Sequence, residues 1–490
     1  MFFYAIDLSE TGNWKKELLH VLLFSMGFNL AGFYWIPYTL NEFGEIPVPL
    51  NYLLGLLFTL IILPQLYGML IIKRVLVRFQ FFKERDLFHL FFWSAILTLV
   101  EAIFPQEFPA HVGHPWLQLA PRLGLAPIFG APLYSFIGIL VAIGISWFIR
   151  FRQKKFLMAS LVPFTFFLLI NLAVPLKEFP KQADQNLKIR IVQANIGNFL
   201  KLSSEKGLGL YEIYSRYRDL SLKSSVSQSA QTVDLIIWPE TAFPKLLSSG
   251  LMKISDSAIP PLFKEIISDT KAHMLIGGYD MAPSDSVSFE SEFNTAFFFN
   301  SDSNFVDAYH KRILIPFGEH LPFGPLNPWL STIIKNVAFF AEGTTYPLFE
   351  TKNGAKFINA ICYEILFSSF VRDYLNEKPE AQFLVNLTND SWYGDTAEPH
   401  QHQFLTHWRA VEFNLPIVRS TNTGISSILF PDGSESKRLQ MFTAESDDFE
   451  LPIIKREQTV YEKWGEIPTI ALISFLLLIA FIFDRKKILP

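Results

Sequence analysis

Residues 355–364 read AKFINAICYE. A short apolar run with β-branched and aromatic side chains ends in an acid, and such a run reads as a buried strand over 355–363. Cys362 closes it and is the only cysteine among 490 residues. Tyr363 and Glu364 follow directly. In α/β folds, reactive groups gather where strands end and loops begin. The fold therefore turns on whether the rest of the chain repeats this pattern.

It does. LKIRIVQANI (187–196), VDLIIWP (233–239), HMLIGGY (273–279), FNTAFFFN (293–300), QFLVNLTN (382–389), LPIVRSTN (415–422) and ISSILFP (425–431) are further strand-like runs. Helical patterns over 205–222, 260–271, 364–376 and 399–413 lie between them. Strands alternating with helices predict an α/β layered domain over residues 177–466. The polar stretch 221–232 reads as a helix end and surface loop.

The flanks have a different composition. Half of the chain is hydrophobic, with 50 Phe, and mean hydropathy is +0.26. That excess concentrates in residues 1–176 and 467–490. Six segments are apolar enough to cross roughly 30 Å of hydrocarbon as helices, near 19–38, 51–72, 87–104, 133–149, 156–176 and 467–483. Asn29 in the first is expected to face the bundle interior. Lys15, Lys16, Lys73, Arg74, Arg78, Lys83, Arg85, Arg150, Arg152, Lys154, Lys155, Arg485, Lys486 and Lys487 fall in every second connection, all on one side when six spans are used. The opposite loops, 41–50 and 105–132, hold only Arg122. The positive-inside rule then places both termini in the cytoplasm and 177–466 outside, the periplasm in a bacterium. The first twenty residues lack the basic start and cleavage site of a signal peptide. Net charge is −4, which gives no basic footprint for nucleic acid. One cysteine excludes an internal disulfide.

Three residues at or near strand ends can carry chemistry: Glu240 in LIIWPET, Lys311 in VDAYHKRILIPFGEHLP, and Cys362. A thiol needs an adjacent base or cation to become a nucleophile at neutral pH. Glu240 can accept its proton, and Lys311 can lower the thiol pKa and stabilise an oxyanion. Taken singly, each has a plainer reading, as a small buried hydrophobe or a solvated surface charge.

WPET, HKRILIPFGE and CYE together resemble the Glu-Lys-Cys triad of the nitrilase superfamily. The K-x₇-E spacing from Lys311 to Glu319, NDSWYG (389–394), PHQH (399–402) and RSTNTGIS (419–426) narrow the match. With spans on both sides of the domain, the chain resembles the apolipoprotein N-acyltransferases. The resemblance implies a transmembrane bundle plus an αββα nitrilase-like domain. It implies acyl transfer from a membrane phospholipid, through a cysteine thioester, to the N-terminal amine of a diacylglyceryl-cysteine apolipoprotein. By the family's motif Glu240 is base, Lys311 assists the oxyanion, Cys362 is nucleophile, and Glu319, Tyr363 and Glu364 support them. No organic cofactor or metal is expected. A monomer in the bacterial inner membrane is the expectation.

Two departures from the family stand out. Its members usually have two further N-terminal spans, so this chain reads as a shorter variant or one with a late assigned start. Leu200-Lys201-Leu202 replaces an LKW-like run. The apolar loop 320–343 is expected to dip into the leaflet, to cover the acyl chain or to pack on the core. Trp392 and Tyr393 in SWYG are candidates for a mobile arm at the membrane interface. His310, His320, His400, His402 and His407 are numerous enough to suggest a metal, but H-Q-H at 400–402 is read without an accompanying acid at helical spacing, so helix-start hydrogen bonding is expected instead. Competing readings are a membrane-tethered amidase with the same triad and a non-catalytic membrane scaffold.

Overall fold

A computed structural model of the chain describes residues 6–485 except 9, 11, 43, 80–81, 83–85, 105, 107, 121, 206, 224–232, 283–291, 317, 322 and 334–338. Lys83, Arg85, Lys486, Lys487, most of the polar stretch 221–232 and part of the loop 320–343 lie outside the described residues. The chain forms two compact units. One comprises residues 1–37, 49–177 and 459–490, the other 38–48 and 178–458. The expected division at 466/467 thus falls at 458/459, because the short helix Val460–Trp464 packs in the helical unit: Tyr461 lies so close to Gly130 that a Cβ there would come within 2.4 Å of its ring.

In the helical unit, Leu50–Leu76, Ala126–Phe151, Lys154–Ala173 and Ile467–Asp484 are long and apolar enough to cross a membrane. Trp14–Gly32 and Ile36–Glu42 form a pair bent by 64°, which would make a fifth span. The expected span at 87–104 is the helix Leu87–Ile103, a shorter apolar one of 17 residues. It stops because Phe104 turns extended ahead of Pro105, as a residue before proline tends to do. The expected span 133–149 extends to Ala126–Phe151 and breaks at Gly130, whose φ of +61° suits only glycine. Asn29 faces the bundle interior as expected: its amide donates to Gly55 O and Thr59 Oγ1, both at 2.9 Å.

The α/β unit contains two sheets. β1 (Gln185–Gln193), β2 (Leu235–Trp238), β3 (Leu246–Leu247), β4 (His273–Met281), β5 (Glu292–Phe299) and β6 (Phe305–His310) build the first. β7 (Phe349–Glu350), β8 (Lys356–Ile361), β9 (Phe383–Thr388), β10 (Ile417–Thr421) and β11 (Ser427–Leu429) build the second. β12 (Glu445–Ile453) returns to the first sheet beside β1. The orders are β12-β1-β2-β4-β5-β6, with β3 on β4, and β11-β10-β9-β8-β7. The centres, β1-β2-β4 and β8-β9-β10, are parallel and their flanks antiparallel.

Period-two alternation explains the layers. On the first sheet Ile236, Trp238, Phe297 and Phe299 point to a helical layer, where Trp238 stacks on Tyr217 at 4.4 Å and Phe299 meets Phe263 at 5.3 Å. Phe298, between two of them, points the other way and touches Phe349 and Phe357 of the second sheet. The helices Ser368–Glu377 and Glu398–Phe413 pack on the second sheet's outer side. The result is helix, sheet, sheet, helix. Strands buried on both faces need the near-continuous apolar runs seen in the sequence.

Several elements differ from the sequence reading. The helix expected over 205–222 starts at Leu210, after Gly207 and Gly209 at φ +82° and +78°, and a separate helix, Asn198–Glu205, precedes it. Helix 364–376 begins at Ser368, because residues 362–366 form a 3₁₀ turn. β6 and β12 were not anticipated. β12 reads ESDDFELPI, too acidic to look like a strand, yet Asp448 bonds Arg190 Nε on β1 at 2.7 Å.

Candidate active site

Each triad candidate follows a strand. Glu240 lies two residues past β2, Lys311 directly follows β6, and Cys362 directly follows β8. All three are buried. Lys311 is fully enclosed, and its ammonium sits between two carboxylates: Nζ donates to Glu319 Oε1 at 2.8 Å and to Glu240 Oε1 at 3.3 Å. Asn294 bridges the same pair, its amide donating to Glu240 Oε1 at 2.8 Å and Glu319 Oε1 at 3.1 Å. The outer oxygens accept from backbone: Glu240 Oε2 from Asn389 N and Glu319 Oε2 from Ile315 N. All six of these contacts bring a donor to a carboxylate oxygen, which accepts it.

The charge count sets the thiol's state. Two carboxylates and one ammonium leave a net negative charge beside Cys362. Burial pushes the thiol pKa well up, the Glu240 charge adds to that, and Lys311 only partly offsets it. Lys311 itself is held protonated by Glu319 and Glu240 against its desolvation. So Lys311 does lower the thiol pKa as expected, but the carboxylates outweigh it, and the resting group is a thiol.

Cys362 has φ +52°, the left-handed region that costs a residue with a Cβ roughly 1–2 kcal/mol. Thr241, the residue after Glu240, also has positive φ, +50°. Glu364 braces the first of these turns. Its Oε2 accepts from Ile361 N at 2.7 Å; its Oε1 accepts from Arg312 N at 2.6 Å, Ile313 N at 3.1 Å and Tyr309 Oη at 2.7 Å. Glu364 therefore ties the chain on both sides of Lys311 to the Cys362 turn. Its own pKa is pushed up to about 7 by burial, against the pull of these donors. Tyr363 is buried and packs edge-on against Phe367, ring centroids 4.9 Å apart.

The candidate arm residues behave differently from expectation. Tyr393 is buried, which pushes its phenol pKa well up, and the neighbouring acids Glu398, Asp390 and Glu240 add to that. Trp392 is half-buried. Gly394, between them and the next turn, leaves no room for a Cβ against Tyr38. SWYG is a packed wall of the site, because Asn389 and Asp390 anchor its start inside. The loop 320–343 divides: Leu321 and Phe339 are buried, while Phe323, Leu326 and Trp329 on and before the helix Asn327–Ile333 are exposed.

Other buried polar side chains near these residues were not assigned to the site from the sequence. Lys201, within Leu200-Lys201-Leu202, is buried and donates to Thr241 Oγ1. It lines a small pocket with Ile196, Glu240, Thr241 and Asn422. His402 is no helix-start group: its Nε2 lies 3.2 Å from the Cys362 carbonyl oxygen. An acid does stand at helical spacing, Glu398, four residues earlier on the same helix. Asp390, Glu398 and His402 bring ligand-type atoms within 4.8 Å of one another. Both Asp390 oxygens already face the Arg419 guanidinium, at 3.0 and 3.3 Å, so the positive charge this cluster needs comes from arginine. His310 pairs with Asp280 at 2.8 Å. The signal for these residues was polar side chains inside apolar runs, as with Asn294 in FNTAFFFN and Arg419 in LPIVRSTN.

Comparison with known proteins agrees with this architecture. Residues 188–446 match the carbon-nitrogen hydrolase family, and residues 1–144 match the apolipoprotein N-acyltransferase N-terminal domain. An apolipoprotein N-acyltransferase of Bdellovibrio bacteriovorus is 32% identical over 475 residues, 93% of this chain and 84% of that one. One from Haemophilus ducreyi is 27% identical over 495 residues, 96% and 89% of the two chains. Among solved structures, an amidase from Nesterenkonia sp. aligns over 54% of this chain and 90% of its own, at 18% identity and a TM-score of 0.37. On the family match to its α/β unit and the near full-length likeness to these relatives, the chain belongs to the apolipoprotein N-acyltransferase family, within the carbon-nitrogen hydrolases.

Proposed function

We propose that this protein moves an acyl chain from a membrane phospholipid to the N-terminal amine of a diacylated apolipoprotein, through a thioester on Cys362. One observation carries the assignment of roles: a single enclosed ammonium shared by two carboxylates, electrostatically coupled to a buried thiol on a left-handed turn.

The charge balance favours proton transfer within the site. Losing the thiol proton to water would bring a third negative charge next to one cation. Passing it to Glu240 leaves the net charge unchanged. Glu240 takes the Sγ proton as the sulfur attacks the lipid ester carbonyl. Lys311 faces the oxyanion that forms. The C–O bond then breaks, and Glu240 returns the proton to the departing lysophospholipid alcohol. In the second half, the apolipoprotein amine attacks the thioester, Glu240 receives the amine proton, and the thiolate leaves and is reprotonated. Glu319, hydrogen-bonded to Lys311 throughout, keeps the ammonium in place while Glu240 changes charge.

The setting supports a lipid donor. Exposing roughly 15 methylenes to water would cost on the order of 10 kcal/mol at about 0.8 kcal/mol each, so the reaction belongs at a membrane. We place the α/β unit on the outer, periplasmic face of the bacterial inner membrane, with both termini cytoplasmic, from the Lys and Arg distribution. Exposed Phe323, Leu326 and Trp329 suit contact with acyl chains.

The test uses full-length protein and a phospholipid with an alkyne-tagged acyl chain. Label is expected on Cys362, then on an added diacylglyceryl peptide. Label that reaches the peptide in the Cys362→Ala variant would sink the covalent route. Label released as free fatty acid in the presence of the peptide would assign a hydrolase instead.

A further inference from the structure

Cys362 holds a conformation that its Cβ disfavours, so the surrounding structure must fix it. Glu364 grips the chain before it through Ile361 N. The grip after it comes from elsewhere in the chain. We propose that His402 is a positioning residue for the nucleophile: its imidazole donates to the Cys362 carbonyl and locks the left-handed turn that presents the thiol. This rests on Cys362 being the nucleophile.

The Cys362 carbonyl only accepts, so the nitrogen 3.2 Å from it, Nε2, carries the ring proton. That leaves Nδ1 as the lone-pair nitrogen. It lies 3.8 Å from Asp390 Oδ1 and 3.7 Å from Glu398 Oε1. Asp390 cannot turn to meet it. Its oxygens are committed to Arg419, which is fixed in turn by Asn386 Oδ1 at 2.9 Å and Ile425 O at 3.2 Å. Gly424 also packs so tightly that a Cβ there would lie 1.9 Å from Asp390 Oδ2.

Glu398 is the free member. Its Oε2 and His402 Nδ1 are both enclosed and, among the described residues, neither has a hydrogen-bond partner. Burial raises the Glu398 pKa well above the usual carboxylate range, with Asp390 adding to it, and lowers that of His402. Neither acid comes within hydrogen-bond distance of Nδ1, and the single proton of a neutral imidazole stays on Nε2, where the Cys362 carbonyl accepts it. Glu398 and His402 sit on one face of the helix Glu398–Phe413, four residues apart. The helix therefore delivers one oriented N–H to the main chain of the nucleophile, while Arg419 supplies the charge that Asp390 requires.

The test compares His402→Gln with His402→Met in the full-length protein. These side chains match in length, and only Gln has an N–H to donate. With the alkyne-tagged phospholipid, the single-turnover rate of Cys362 labelling is expected to fall at least about 20-fold in the Met variant, with the lipid KM within about 2-fold of wild type. The Gln variant is expected within about 5-fold of wild type at a similar Tm. Equal rates for the two variants, or a Met variant as fast as wild type, overturn the proposal. Should Met not fold, His402→Leu takes its place under the same criteria, and a folded Gln variant slowed more than about 20-fold overturns the proposal by itself. The proposal and the underlying mechanism fail separately. Wild-type label that misses Cys362 breaks the mechanism; label on Cys362 with Gln equal to Met breaks only the role of His402.

Discussion

Lys73 in the helical unit and Lys311 in the α/β unit are both fully buried, and both bond a buried glutamate. Their charge balance is opposite. Around Lys73, Glu17 accepts from two cations, Lys73 and Arg74, and from Gly12 N, while Asp7, the next acid that acts on Lys73, pairs with Arg150. Around Lys311, two carboxylates share one cation. The first arrangement joins the helices Trp14–Gly32 and Pro64–Leu76 and leaves nothing to react. The second is over-supplied with negative charge next to a thiol. A buried ion pair is therefore no marker of chemistry by itself; the excess of one sign beside a titratable group is.

The largest effect that would sharpen this contrast comes from removing the thiol. Cys362→Ala is expected to lower acyl transfer by at least about 10⁴-fold while Tm moves by only a few degrees. Loss of fold in that variant would show the site's charges depend on the sulfur. Next comes Glu240→Gln, which removes the base and one of the two negative charges. Thioester formation should fall about 10²–10⁴-fold, with the protein still folded. Normal single-turnover labelling in this variant would take Glu240 out of the base role.

The comparison is tested most directly by the two lysines. Lys311→Met strands two buried carboxylates and is expected to cost about 3–5 kcal/mol. Lys73→Met leaves Glu17 with Arg74 and should cost clearly less. Equal losses in matched denaturation series would mean that charge count is not what separates the regions.

The smallest effect is a pH slope. Glu364 titrates near 7 in the folded protein, above its unfolded value near 4.5. Between those values the folded state binds a proton the unfolded state has released. Stability should therefore fall as pH rises from about 4.5 to about 7 and level off above, by a few kcal/mol at most. Glu364→Gln should lack that component. Parallel Tm–pH curves for the two proteins would refute the assignment.

Much of this was readable in advance because it depends on local pattern. The triad positions follow strands, and strands buried on both faces declare themselves as apolar runs. β12 escaped because its polar half is satisfied by another strand: Asp448 by Arg190 and, at 3.5 Å, by Lys188. Tyr393 was misjudged because an aromatic flanked by polar residues looks the same on a lipid-facing arm as in a site wall. His402 was misread because its partner is a backbone carbonyl forty positions away.

By itself the sequence determined most of the strands and helices in their order, the apolar segments, and the three residues proposed here to form and use a thioester. Periods of two and 3.6, and the chemistry of a lone thiol, are local properties. Tertiary structure alone decided that Lys311 stands between two acids, that the thiol rests protonated, and that Cys362 is bent into a left-handed turn under His402. Those outcomes depend on electrostatics and hydrogen bonds between groups far apart in the chain, whose distances no local pattern contains.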